Sequence, residues 1–498
     1  MRALICLLFF LCSAAPACRA ATYYVDSGGG RDSNAGTCKN GPWKSIARVN
    51  GRAFQPGDRI LFKRGDLWRE TLVPPSSGIA GRPIIFGAYG TGHKPVIKAS
   101  GLITGWRAAA HMPDVRAAKV PVRPFVVWEN NSALMPCRSL SEAEANTGSF
   151  YWDSGTLYVR ATSGYPDTNG KAYEAAHRTD SCRIENRRYL VIRDIDFVQS
   201  GNNGGVGLRI VNASNHIIID SCDFSQAADQ HLAIWGNLPK NGDYTISGCT
   251  FEWSGLRHVP GSGSAIDVLS TGSNNITITG QCNTFSHVGG SRAAPHLDHG
   301  IYLKSGRLVW RYNYHRSGGK FSGACVKISG RAKDGCEIHN NVFSAGSGGQ
   351  PLGVLSEAGS GHTVYNNLFY NVDTGVWQSG RNGPYVAGGS GIRVENNIFY
   401  KTRCLFLRAE ATTNFTSDHN VFFDVRAGKT KKPFRWGRRD YSLAGWEKKS
   451  GEDAHSLTEA SGLTPPGKAG PAGPNCPAKA RLSAFSARCP FYQERRTP

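Results

Sequence analysis

After its first twenty residues, the chain has no apolar run approaching the roughly 20 residues that a membrane-spanning helix requires. Acidic residues are also scarce: 37 Asp and Glu stand against 58 Lys and Arg, a formal net charge of +21. Cys-x-x-Cys pairs with zinc spacing are missing, which argues against a structural zinc module. A helical membrane protein and a zinc-stapled module are thereby set aside.

The one apolar run lies at the start. Arg2 supplies the charge, Leu4 to Leu11 the apolar stretch, and Cys18-Arg19-Ala20 or Arg19-Ala20-Ala21 a small-residue cleavage site. A secretory leader is therefore expected over residues 1–20, and a secreted protein, periplasmic or extracellular, without a membrane span. Loss of Arg2 and Arg19 lowers the net charge to +19. A secreted chain this basic has little reason to meet nucleic acid. An acidic polymer is the more natural partner, because a field of one sign concentrates such a ligand. No feature calls for an oligomer, so a monomer is expected.

Cys6, Cys12 and Cys18 leave with the leader, so fourteen cysteines become eleven, an odd number that cannot pair completely. Cys222, Cys249 and Cys282 fall at repeat positions and read as small buried residues. Cys476 and Cys489 bracket a C-terminal loop and form the best disulfide candidate.

What is abundant is repetition. Arg193-Asp194-Ile195-Asp196-Phe197, Asp220-Ser221-Cys222-Asp223-Phe224 and Ser247-Gly248-Cys249-Thr250-Phe251 share one pattern. It returns as Arg311-Tyr312-Asn313-Tyr314-His315, His339-Asn340-Asn341-Val342-Phe343, Asn366-Asn367-Leu368-Phe369, Asn396-Asn397-Ile398-Phe399 and His419-Asn420-Val421-Phe422. A looser copy, Gln281 to Phe285, reads as a one-residue insertion with Cys282 at the marker. Fixed-period self-similarity means a solenoid. A short period with β-branched runs such as Ile217-Ile218-Ile219 means coils of short strands, a parallel β-helix. Coils stack at the inter-strand spacing, so nine of them span roughly 40 Å, and identical Asn and Phe residues lie over one another.

Residues 21–460 are expected to form this solenoid. Residues 21–100 read as a cap with first coils, including a helical stretch from Trp43 to Asn50. Residues 101–180 read as a hairpin insertion, and 181–425 as regular coils. Residues 461–498, rich in Pro, Gly and Ala, read as loop or tail.

Tyr23 to Asp26, Pro42-Trp43-Lys44-Ser45-Ile46 and Pro56-Gly57-Asp58-Arg59-Ile60-Leu61-Phe62, together with the repeats, resemble the secreted right-handed parallel β-helix proteins of the pectate-lyase-like superfamily. The resemblance covers roughly residues 22–460. It implies an all-β, right-handed solenoid with a helical N-terminal cap, and carbohydrate-active chemistry: lyases, epimerases and glycoside hydrolases. Fold alone does not choose among these.

Each coil carries another strand ahead of its Asn turn. Alternation sends Ile234, Ile266, Val268, Ile301, Leu303, Val326, Ile328 and Val354 inward. The outward positions then form two columns: Trp235, Asp267, Tyr302, Lys327, Leu355, Trp377, and Asn237, Leu269, Lys304, Ser329, Glu357, Ser379. Asp229, His231, His296, Asp298 and His299 flank the first, and Arg292 lies near. Aromatic faces suit pyranose rings, and cations suit uronate carboxylates. Trp235, Tyr302, His231, Arg292, Glu357 and Trp377 are thus the expected substrate-binding residues.

His296 to Ser305 is the richest stretch, with Lys327 and Arg331 one coil along. It resembles the Lys-Ser strand of alginate- and chondroitin-degrading β-helix lyases. That resemblance implies Lys304 as the base removing a uronate C5 proton, with Lys327 or Arg331 assisting. Such a base requires its pKa lowered by desolvation or neighbouring cations. The family's calcium-binding acidic positions are matched here by Leu297 and His299, so calcium is not expected with its usual ligands, and Arg292, His299, Lys327 or Arg331 would neutralise the substrate. An epimerase would use the same abstraction, with His299 or His315 as a further acid–base group. A glycoside hydrolase would use two carboxyls: Asp267 and Asp298 on adjacent coils, then Asp229 and Glu357. The Asn-Thr-Asp, Asp-Asp and Gly-His-Gly set of polygalacturonases is missing. A non-catalytic glycan-binding or surface-structural solenoid is the remaining alternative.

Overall fold

A computed structural model describes residues 19–458 except 202–203, 257–262, 273–274, 289–297, 318–322, 346–351, 380–389, 409–411 and 426–431. The expected leader, the Cys476–Cys489 pair, His296 and Arg292 lie outside the described residues. Among the described residues, no helix is long and apolar enough to cross a membrane, and the nine described cysteines are free thiols.

The protein is all-β, built from parallel ladders in which each coil bonds to the next. A coil enters at a strand such as Leu208–Val211, turns into Asn215–Asp220, and passes the marker turn into Asp223–Ser225. Each strand pairs in parallel with its counterpart one coil on: Leu208 with Leu232, Ile217 with Tyr244, Phe224 with Phe251. The long strand Ile301–Arg311 takes part in the first two ladders and joins them into one sheet of 22 strands. The third ladder has 11 strands.

Two side-chain columns run through this stack. Asn283 donates through Nδ2 to Asn313 Oδ1 at 2.9 Å, and the chain of bonds continues to Asn341, Asn367, Asn397 and Asn420 at 3.0–3.2 Å. The same oxygens accept backbone N–H groups, so each amide closes the turn of the coil before it. The residue just ahead of each marker is left-handed: Asp194, Ser221, Cys282, Tyr312, Asn340, Asn366, Asn396 and His419 have φ of 54–59°. Asn tolerates that conformation better than most residues, which accounts for the Asn-Asn pairs. The looser copy is corrected by this geometry. Cys282 holds the left-handed position and Asn283 the ladder, so the copy is regular. The Phe column stacks from Phe197 through Phe224, Phe251 and Phe285, then Phe343, Phe369, Phe399 and Phe422.

At the N-terminal end, Thr22–Val25 pairs with Arg59–Lys63. The helix Ile46–Asn50 is capped by Ser45, whose hydroxyl accepts from Arg48 N–H at 3.0 Å. Trp43 is fully buried and stacks on Tyr23 at 5.0 Å. Residues 100–176 build two small mainly antiparallel sheets around Phe150, Leu157, Val159 and Tyr173. Glu174 ties one of them to the solenoid through Lys98 and Arg69, each at 2.8 Å.

Candidate functional site

The ladder that includes Leu232–Gly236, Ile266–Ser270, Ile301–Arg311, Ala324–Ala332, Leu352–Ser356 and Thr374–Gln378 presents the outward columns. Ile266, Val268, Ile301, Leu303, Val326, Ile328 and Val354 are all fully buried inside it. Their alternate neighbours Asp267, Tyr302, Lys327, Leu355 and Trp377 stack over one another. The first column is displaced at its start. Ala233 lies over Asp267, and Trp235 over Leu269. The alternation is the same under either alignment, because a two-residue slip leaves every side chain on its face. Only the turn lengths fix the pairing. The same register puts Arg209 over Ala233 in the column of Asp267. Sequence reading passed over Arg209, although its place between Leu208 and Ile210 marks it as outward.

Tyr302 is the hub. Lys304 Nζ lies 4.3 Å and Lys327 Nζ 4.8 Å from its ring centre. The His299 ring meets it edge-on at 4.9 Å. Asp267 is its cross-strand neighbour and binds Lys304 Nζ through Oδ2 at 2.8 Å. Lys327 Nζ lies 3.3 Å from Glu357 Oε2, which also accepts from Ser329 Oγ at 2.9 Å. Five expected residues (Asp267, His299, Lys304, Lys327, Glu357) thus form one network around Tyr302. Trp377 continues the column beyond Leu355. Each of the two ammonium groups faces a carboxyl group of the protein.

Burial shifts the titration of both Asp267 and His299. Asp267 is 3% exposed, and desolvation raises its pKa. Lys304 and the Trp235 indole pull it back without reversing the direction. His299 is 2% exposed, and burial drives its pKa well down, aided by the charges of Lys327 and Lys304. Its Nδ1 accepts the Ala324 N–H at 2.9 Å, so the proton of the neutral ring sits on Nε2. The Asp267 carboxyl and the Trp235 indole face each other, while the buried His299 Nε2 finds no partner within the protein. Such an atom costs about 1–3 kcal/mol if nothing satisfies it. Trp235 is held from behind: the Arg209 guanidinium lies 4.9 Å from its ring and is anchored to Asp180 by bonds of 2.9–3.0 Å.

Four expectations are corrected. His231 is fully buried inside the coil, with its ring 6.4 Å from Phe224 and 6.0 Å from Phe251, so it does not face the groove. His315 takes a Phe position, 4.2 Å from Phe285, and accepts from Trp310 Nε1 at 3.0 Å; it is a core residue. Burial pushes both imidazoles down to about 3. Arg331 pairs with Ser305 beyond a bulge and is exposed, apart from the Tyr302 network. Trp235 belongs to the column of Leu269, as above. Asp298 is fully buried and accepts the Gly263 N–H at 2.8 Å.

No family model matches the chain. A lacto-N-biosidase of Bifidobacterium longum subsp. longum is 41% identical over 87 residues, 16% of this chain and 5% of that protein. The chain therefore spans about 5% of the length of that curated relative. Among solved structures, one described as a glycoside hydrolase superposes with a TM-score of 0.51 at 12% identity, covering 80% of this chain and 96% of the other. The lacto-N-biosidase of Eubacterium ramulus gives 0.45 at 14% identity, covering 88% of this chain and 66% of the other. The likeness is one of fold: the chain shares its stacked parallel-strand architecture with the first of these, the glycoside hydrolase.

Proposed function

We propose that this protein is a secreted carbohydrate-active enzyme with a right-handed coil, and that it hydrolyses glycosidic bonds in a glycan lying along the column centred on Tyr302. The observation that carries this is Asp267. Its carboxyl is buried beside an aromatic face, and desolvation raises its pKa above the ordinary carboxylate value. A protonated carboxyl is what a departing glycosidic oxygen needs. Asp298, one coil on, is the second carboxyl of the proposed pair. Glu357 is committed to Lys327 and Ser329. Sugar hydroxyls, each both donor and acceptor, complement the unpartnered His299 Nε2–H. The short stretch shared with a lacto-N-biosidase and the fold shared with a glycoside hydrolase support the same reading.

The reading that makes Lys304 a base is weakened by the same geometry. Lys304 Nζ is held by Asp267 Oδ2 at 2.8 Å, so the amine is engaged with that carboxyl group and not free to approach a substrate proton. One observation still favours elimination from a uronate: two ammonium groups stand over a single ring, a setting for a carboxylate.

The test is incubation with neutral and uronic-acid glycans, following new reducing ends and the ultraviolet absorbance of unsaturated uronides together. Reducing ends without absorbance, lost in Asp267→Asn, support hydrolysis. Rising absorbance that survives Asp267→Asn and disappears in Lys304→Ala overturns it in favour of a lyase. Affinity without either product leaves a binding protein.

A further inference from the structure

A second cluster sits at the C-terminal end of the solenoid, away from the residues around Tyr302. Asp418 closes the strand Thr416–Asp418, and His419 is the left-handed residue of the last marker turn. His455 arrives from the segment after the helix Leu443–Ser450. Among the described residues, these are the one set of three His, Cys, Asp or Glu side chains whose ligating atoms all lie within 4.8 Å of one another.

The carboxylate is oriented before any ion is considered. Asp418 Oδ1 accepts the backbone N–H groups of His419 and His455, each at 2.9 Å. That leaves Oδ2 facing two imidazoles, 2.7 Å from His455 Nδ1 and 3.3 Å from His419 Nδ1. The rings stack with centroids 5.1 Å apart and planes 19° from parallel. A divalent cation here would take the place of the Nδ1 protons and draw both nitrogen lone pairs and the carboxylate oxygen to one point.

Tetrahedral zinc, with bonds of about 2.0–2.2 Å, separates its ligand atoms by roughly 3.3 Å. The His419 to Asp418 distance already has that value. His455 must open from Asp418 by about half an ångström, and the two imidazole nitrogens, within 4.8 Å of each other, must settle at the same separation, small swings for side chains 70% and 60% exposed. We propose that Asp418, His419 and His455 bind a divalent transition-metal ion of the zinc class, with water completing its coordination. Two imidazoles and one carboxylate suit zinc and its neighbours rather than calcium, which prefers an all-oxygen shell.

The placement gives the ion a consequence. His455 lies 37 residues from Asp418, on the segment that closes the last coil. Asp453 N–H bonds to Ser417 O, and Leu457 bridges to Val421. An ion held there would clip that segment to the coil beneath it.

The experiment uses full-length, tag-free, chelator-treated protein titrated with Zn²⁺ by calorimetry. Co²⁺ serves as a visible-absorption probe of tetrahedral coordination. One equivalent of Zn²⁺ should bind and raise the melting temperature. His455→Ala and His419→Ala should each weaken binding by at least about tenfold and lose the melting shift, while both apo variants melt close to apo wild type. The absence of stoichiometric binding overturns the proposal. So does equal binding in both variants, which would place the ion elsewhere, for example at the exposed Cys38 thiol. Should one variant fail to fold, the other, together with the Co²⁺ spectrum of wild type, still decides.

Discussion

Lys304 Nζ and Asp267 Oδ2 lie 2.8 Å apart on neighbouring coils, beside the face of Tyr302. Asp267 is buried and Lys304 is 28% exposed at its side chain, so the carboxyl bears most of the desolvation. The pair therefore tunes an acid more than it makes a base.

Removing the ammonium removes an influence that lowers the Asp267 pKa. Lys304→Met should move the alkaline limb of the kcat/KM profile to higher pH, with a loss of about tenfold or less at the optimum. Asp267→Asn should cost roughly 10²–10⁴-fold at every pH, the usual range for a lost general acid. Steady-state rates of both variants across pH check this.

The same carboxyl affects stability with a definite sign. A folded-state pKa above the unfolded value means that stability is fully present below the unfolded pKa and declines as pH rises through the folded one. Asp267→Asn, which cannot ionise, should equal wild type at acid pH and exceed it at alkaline pH in urea unfolding. Lys304 can turn to solvent in that variant. An unchanged difference across pH would contradict this account.

His231 and His315 act in the opposite sense. Burial depresses both to about 3, so stability is present above the unfolded value near 6.5 and falls as pH drops toward 3. Between those limits each adds about 1.4 kcal/mol per pH unit to the slope of unfolding free energy. His315→Phe should flatten that slope by one such increment. Its stability near pH 7 should fall by about 1–3 kcal/mol, because Trp310 Nε1 loses its acceptor.

Asn341 makes bonds in both directions along its ladder and a further one to Trp310 O at 2.8 Å. Asn341→Ala should lower unfolding free energy by about 3 kcal/mol or more, since several buried groups lose partners at once. The urea midpoint is the measurement, and a loss under about 1 kcal/mol would show that water replaces the amide.

Gly280 lies against Trp310: a Cβ there would sit 2.0 Å from Trp310 Cζ3. Gly280→Ala should destabilise by about 1–3 kcal/mol through overpacking, despite alanine's gain in chain entropy. Thermal unfolding of the variant checks this.

Much of the fold was legible because solenoid contacts repeat. Once Asn341, Asn367 and Asn397 were aligned, coil stacking placed their amides and the Phe rings two residues later. The interior residues of the site-bearing strands followed from alternation alone. The site was legible in part. Tyr302, Lys304, Lys327 and Glu357 were readable as outward positions on consecutive coils. Trp235 was misaligned because period-two patterning is blind to a two-residue slip. His231 and His315 were misjudged because a histidine in sequence reads as polar, whereas here each packs among Phe rings.

The sequence by itself determined the repeat, the turn that needs a left-handed residue, and which face of each strand is apolar, since these are local properties of three to five residues. Only the tertiary structure decided which outward residues touch. Turn lengths set the register between coils, and that register brought Asp267 to Lys304, Lys327 to Glu357, and His455 to Asp418 across 37 residues of chain. Burial, which raises the pKa of Asp267 and lowers that of His299, likewise exists only once neighbouring coils have closed over them.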